Sequence, residues 1–146
     1  MQHVEVKRRF RAPADKVWDA YTNHADWQNW AGFSRSWLEK EGSPDRDGIG
    51  CVRGFGSNGV NVYEEVVEWE PKKRFAYRIV RGGLPMKGHY GETTFEPDGD
   101  GCLVTWRCRF DSGIPIPGLG WAMRLFVTNI FRTALDGLAK RYFPDR

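Results

Sequence analysis

Histidine and cysteine are scarce in this chain, with three of each among 146 residues. Cys51, Cys102 and Cys108 are odd in number and lack the paired spacing of metal ligands. Cys102 and Cys108 read as parts of one strand, which would hold them roughly 20 Å apart and beyond the reach of a disulfide. Free thiols in a reducing cytoplasm are therefore expected. His3, His24 and His89 are too dispersed to match a ligand pattern, so neither a metal nor another cofactor is expected. No phosphate-cradling glycine motif is present. The longest uncharged run, Ser112 to Met123, is short and broken by Gly and Pro, which argues against a transmembrane segment. The opening residues Met1-Gln2-His3-Val4-Glu5-Val6 lack the apolar core of a signal peptide. Positive charge is equally thin. A net charge of +3 is spread along the chain without a basic block, which argues against nucleic acid as a partner. Repeats, linkers and low-complexity tracts are also missing, so residues 1–146 are expected to form one domain. A chain of this size buries about 68–70% of its unfolded surface, enough to fold without a metal or a disulfide.

Aromatic residues are plentiful, with seven Trp and nine Phe. They supply large buried area and commonly line pockets, although core packing alone accounts for most of them. The strongest single pattern lies at the C-terminus. Between Gly118 and Phe143, helical spacing puts Met123, Phe126, Val127, Ile130, Phe131, Ala134, Leu135, Leu138 and Tyr142 on one side. Asn129, Arg132, Thr133, Asp136 and Lys140 fall on the other. A helix of two dozen residues is roughly 36 Å long, enough to span a small domain.

Before that helix the pattern is mostly extended. His3 to Arg11 alternates as a half-buried strand, with Arg8 on the apolar side. Ala12-Pro13-Ala14-Asp15 starts a short helix, and a second runs from His24 to Trp30. Six strands follow, at Ser34–Glu41, Gly50–Gly56, Val60–Trp69, Arg74–Arg81, Met86–Glu96 and Cys102–Asp111, separated by turn residues. Short turns between consecutive strands make the sheet antiparallel, with one apolar face to cover. The prediction is an α+β fold, a curved antiparallel sheet of about seven strands wrapped around the long C-terminal helix.

Several stretches resemble the START-like superfamily, in particular its polyketide cyclase/dehydrase branch. They are Ala12-Pro13-Ala14-Asp15-Lys16-Val17-Trp18, Ala25-Asp26-Trp27-Gln28-Asn29-Trp30, Gly48-Ile49-Gly50, Glu65 to Tyr77, Thr94-Phe95-Glu96-Pro97 and Cys102-Leu103-Val104-Thr105-Trp106. The resemblance covers almost the whole chain and implies a helix-grip fold. It also implies a deep cavity between sheet and helix for an apolar or aromatic ligand, such as a lipid, quinone or polyketide. The matching stretches are turns, helix starts and core positions, and they carry no catalytic signature. Fold does not settle activity.

Period-two alternation proposes the cavity walls. If Phe95 faces the helix, Thr93, Gly91 and His89 do too. Val104, Trp106, Cys108 and Phe110 line the neighbouring strand, and Phe75, Tyr77 and Ile79 join them. Trp121, Phe126 and Ile130 are expected to close the cavity from the helix. Glu64 points inward if Val62 and Val66 do; in the opposite register Tyr63, Glu65 and Val67 take its place. His89 has the chemistry of a general acid or base, and Glu64 could orient it. The plainer reading is a hydrogen-bonded or solvated histidine. Arg53, alone in a glycine-rich strand, reads as exposed, or as a partner for an acidic ligand group. The apolar Ser112–Trp121 loop reads either as a lid or membrane contact or as a packed connector. Three functions follow. Binding of a small hydrophobic ligand ranks first, because every feature serves it. A cyclase or dehydratase using His89 and Glu64 is the second. An interaction module on the outer sheet face, where Thr105, Arg107 and Arg109 lie, is the third. An exposed sheet face or edge also leaves a homodimer open.

Overall fold

The computed structural model describes residues 1–144. Strand β1 (Gln2–Phe10) leads into helix α1 (Ala14–Tyr21) and a 3-10 helix (His24–Asn29). Strands β2 (Arg35–Lys40), β3 (Val52–Ser57), β4 (Val60–Glu70), β5 (Arg74–Gly82), β6 (Met86–Asp98) and β7 (Gly101–Ser112) follow, and helix α2 (Leu119–Tyr142) ends the described chain. The strands form one sheet in the order β1-β7-β6-β5-β4-β3-β2, antiparallel throughout. The chain therefore crosses from one edge to the other through the two short helices, then returns by hairpins to lie beside β1. This is the helix-grip arrangement expected from the sequence, with element ends shifted by a residue or two.

Turn chemistry sets the register. Asn58 and Gly59 both have positive φ (52° and 78°), the two-residue hairpin turn that matches strand twist. It pairs Ser57 with Val60, and counting back along the strands sets Arg53 opposite Glu64. Alternation then sends Val62, Glu64 and Val66 to the helix side, and Tyr63 outward against Arg81 and Trp37. On β6 the inward residues are His89, Gly91, Thr93 and Phe95, all buried.

The core gathers the aromatics of α1 and the 3-10 helix onto the sheet. Trp18 and Tyr21 both pack on Phe75 and Phe95. Tyr21 keeps a buried hydrogen bond to Thr93 Oγ1 at 3.0 Å. Phe131 of α2 stacks on Trp106 with ring centroids 3.9 Å apart. Each such ring contributes about 1.5–3 kcal/mol by burial. Gly137 of α2 lies against Trp30, just past the 3-10 helix. A Cβ there would sit 1.8 Å from the Trp30 carbonyl oxygen, so only glycine fits.

Two sequence expectations change, and one is resolved. Phe126 and Tyr142 lie on the expected apolar stripe of α2 yet are 54% and 42% exposed; Phe126 borders a cavity, and the Tyr142 hydroxyl donates to Asp26 at 2.6 Å. Arg8 is inward-leaning, as its alternation implied, and reaches Asp136 of α2 at 3.1 Å. Thr105 of the outer face is buried rather than open. Around it that face carries ion pairs: Arg74 meets Glu68, Glu70 and Glu92, and Arg107 meets Glu5 and Glu92.

Candidate functional site

Helix α2 lies over β1 and β7, α1 over β6 and β7, and the 3-10 helix over β2 and β3 at the other end of the sheet. A gap remains between the sheet and the first half of α2. The gap is a cavity of about 530 Å³, walled by β3 to β7 and the first half of α2. That volume is in the range of small-molecule sites. Its walls are mostly apolar, with Phe55, Val62, Ile79, Trp106, Val127 and Ile130 among them. The mouth is framed by the β3–β4 turn, the β5–β6 loop and Phe126.

A charged cluster sits behind the deep wall. Arg53 is fully buried, and its guanidinium lies among the rings of Trp27, Phe55, Phe75 and Tyr77, with Tyr77 nearest at 4.4 Å. Its Nε donates to Glu64 Oε1 at 3.0 Å, and Nη2 lies 2.9 Å from the same carboxylate. Its Nη1 lies 3.3 Å from His24 Nδ1. The other His24 nitrogen, Nε2, is 3.0 Å from the Asp47 carbonyl oxygen, which can only accept. Nε2 therefore carries the proton, and Nδ1 accepts from Arg53. Burial first, and then Arg53, hold the His24 pKa well below its ordinary value. His24 is neutral. Burial raises the Glu64 pKa while Arg53 opposes that rise. Arg53 engages only Oε1 by hydrogen bonding. Glu64 lines the cavity, and its Oε2 has no hydrogen-bond partner among the described residues.

His89 owes its place to a split in the sheet. Pairing between β5 and β6 runs only from Arg74–Thr94 to Tyr77–Gly91. Beyond it the strands part, and a shift in the β6–β7 ladder occurs between Lys87 and Tyr90. The Ile79 amide thus has no β6 carbonyl to bond, and His89 Nδ1 accepts from it at 3.2 Å. The neutral ring then keeps its proton on Nε2, which has no partner among the described residues. Burial, with Arg53 and Arg78 adding to it, lowers the His89 pKa to about 4. A second hollow of about 320 Å³ lies along the split and shares Ile79, Leu84, Met86 and His89 with the main cavity.

Tyr77 completes the polar set. Trp106 Nε1, which can only donate, bonds the Tyr77 hydroxyl at 2.7 Å. The hydroxyl keeps its own proton to give. Gly91 makes room for this ring, since a Cβ there would lie 2.3 Å from Tyr77 Cζ.

The family model described as "Polyketide cyclase / dehydrase and lipid transport" matches residues 1–142. The chain belongs to that family. Membership supports a ligand-binding or cyclase role in general and leaves the ligand open. No curated protein matches the chain in sequence. Solved structures share its fold. One is a solution NMR structure from Thermobifida fusca, 24% identical, with a TM-score of 0.81 over 97% of this chain and 93% of that one. XoxI from Bacillus cereus is 16% identical, with a TM-score of 0.79 over 97% and 96%. Norcoclaurine synthase from Thalictrum flavum, solved with dopamine and hydroxybenzaldehyde, is 14% identical, with a TM-score of 0.72 over 95% and 84%.

Within this polyketide cyclase/dehydrase fold, Glu64, Tyr77, Ile79, His89, Trp106, Cys108, Phe126 and Ile130 all line the cavity. Seven residues expected there do not: Phe75, Gly91, Thr93, Phe95, Val104, Phe110 and Trp121. Phe95 faces the helix side but is covered by Trp18 and Tyr21. Phe110 is fully buried in the core. Trp121 sits on the solvent side of α2, 57% exposed. The Ser112–Trp121 loop supplies no lining residue either; Gly113 instead hydrogen-bonds the Pro85 carbonyl at 2.6 Å, beside the β5–β6 loop. Arg53, expected at the surface, is the most deeply held charge in the site. Phe55, Leu84, Met86 and Val127 also went unassigned as lining residues. Among the described residues no helix is long and apolar enough to cross a membrane.

Proposed function

We propose that the protein binds a small, largely apolar or aromatic molecule between the middle strands and α2. The observation that carries this reading is the cavity of about 530 Å³, whose apolar walls end at three polar groups with open hydrogen-bonding capacity, on Glu64, Tyr77 and His89. A cavity that served only packing would be smaller, since interiors are close-packed. A few placed polar groups in an apolar pocket fix a ligand's orientation. Mass spectrometry of the purified protein, native against denatured, tests this together with analysis of the organic extract. A co-purifying apolar molecule is the expected result; failure of every apolar compound in a screening set to bind would oppose it.

The arrangement also favours a second reading, a cyclase or dehydratase in the same cavity. Glu64 Oε2 is an acceptor able to take a proton from a carbon beside a carbonyl, and His89 Nε2–H is a donor able to stabilise the resulting enolate oxygen. The separating experiment is His89→Ala. Turnover lost with binding kept supports the enzyme; absence of turnover in both forms supports the carrier.

A further inference from the structure

We infer that the cavity selects neutral ligands bearing one hydroxyl donor and one carbonyl acceptor, and disfavours free acids and amines. This inference rests on the ligand-binding reading above and adds a chemical class to it.

Charge balance comes first. Arg53 is permanently cationic, and Glu64 lies against it at 2.9 Å. His24 and His89 are held neutral by their hydrogen bonds and burial. The buried cluster thus carries one charge of each sign, already matched. A carboxylate ligand would meet Glu64 without a free cation, and an ammonium would compete with Arg53 for Glu64. Either would bring an uncompensated charge into an apolar site, which costs far more than a neutral polar group.

Hydrogen-bond valence comes second. Glu64 Oε2 offers an acceptor to the cavity, and only a donor on the ligand satisfies it. His89 Nε2–H and the Tyr77 hydroxyl proton offer donors, and only an acceptor satisfies them. Glu64 and His89 sit on strands either side of Ile79: Glu64 is its Cα partner on β4, and His89 bonds its amide from β6. The Glu64 acceptor and the His89 donor therefore reach the cavity from opposite sides of β5, with Tyr77 on β5 between them. A rigid apolar body with a polar group toward each side fits that arrangement better than a chain with one polar head.

The test is a titration of the wild-type protein with six naphthalenes: naphthalene, 2-naphthol, 2-acetylnaphthalene, 6-hydroxy-2-acetylnaphthalene, 2-naphthoate and 2-naphthylmethylamine. Calorimetry gives each affinity. The hydroxyacetyl compound is expected to bind about tenfold tighter than 2-acetylnaphthalene, the gain of a charge-assisted bond to Glu64, and about threefold tighter than 2-naphthol, the gain of a neutral bond from His89. The acid and the amine are expected to bind more weakly than naphthalene. Equal affinity of naphthalene and its hydroxyacetyl derivative overturns the inference while the cavity reading stands. So does tighter binding of the acid or amine. If none of the six binds, both readings fall. His89→Phe adds a second readout: the gain from the acetyl group should shrink and the gain from the hydroxyl should remain. Loss of the hydroxyl gain alone in a folded His89→Phe protein would contradict the assignment.

Discussion

Arg53 and Glu64 face each other across the β3–β4 hairpin, and a single carboxylate oxygen accepts from the guanidinium. The arginine is closed in by four aromatic rings, so it has no route to water. Among the charged described residues, Glu64 alone touches both Arg53 and the cavity. The pair ties the folding of the hairpin to the chemistry of the site.

Removal of one partner leaves a buried charge unmatched. Glu64→Leu is expected to destabilise the protein by about 3–5 kcal/mol, and the double substitution Arg53→Met with Glu64→Leu to recover most of it. Urea unfolding of the three variants measures this. A Glu64→Leu protein as stable as the parent would show that the pair carries no such penalty.

Acid should weaken the fold through its two buried histidines. Both have folded pKa values below the ordinary 6.5, His89 at about 4 and His24 lower by burial and Arg53. Their contribution is complete above pH 6.5 and is lost as pH falls toward the folded values. Glu64, raised by burial, acts with the opposite sign and offsets part of the loss. Each histidine contributes a slope of up to about 1.4 kcal/mol per pH unit. Urea midpoints between pH 7 and 4.5 should fall, and His89→Gln should flatten the curve. A flat parent curve would contradict the neutral assignment of both rings.

Gly91→Ala probes the cavity floor. The added methyl meets the Tyr77 ring, which must move away from Trp106 Nε1 or into the cavity. A cost of about 1–3 kcal/mol is expected, with weaker binding of the hydroxyacetyl probe. Thermal unfolding and calorimetry check the two parts, and unchanged values in both would remove Tyr77 from the site.

Phe126→Ala separates the mouth from the core. The ring is half exposed yet lines the cavity. Stability should change by less than about 0.5 kcal/mol, as for other surface positions, while probe dissociation speeds up in stopped-flow displacement. An unchanged rate would place the exit elsewhere.

The helix and strands were legible because their periods are long and clean, as at Val104, Trp106, Cys108 and Phe110. The inward face of β6 followed from one assumption about Phe95. Arg53 was not legible from its own neighbourhood, where glycines suggest an open strand. Its partner lies eleven residues away across the turn, and the Asn58-Gly59 turn type was the signal that set the two opposite. The inward placement of Glu64 follows from the same count. Phe95, Phe110 and Trp121 show the limit of periodicity: it assigns a face but not what covers it. α1 fills the space over Phe95, and the sheet leaves Trp121 in solvent. His89 could be placed inward, yet its hydrogen bond depends on where β5 and β6 part, which no local pattern announces.

The most direct measurement is a methyl NMR titration of the wild-type protein with 6-hydroxy-2-acetylnaphthalene. Saturable shifts of the Val62, Ile79, Val127 and Ile130 methyls are predicted, with nuclear Overhauser contacts to the naphthalene ring. Shifts confined to outer-face or α2 solvent-side residues, with those four methyls unmoved, would contradict a ligand site between the sheet and the helix.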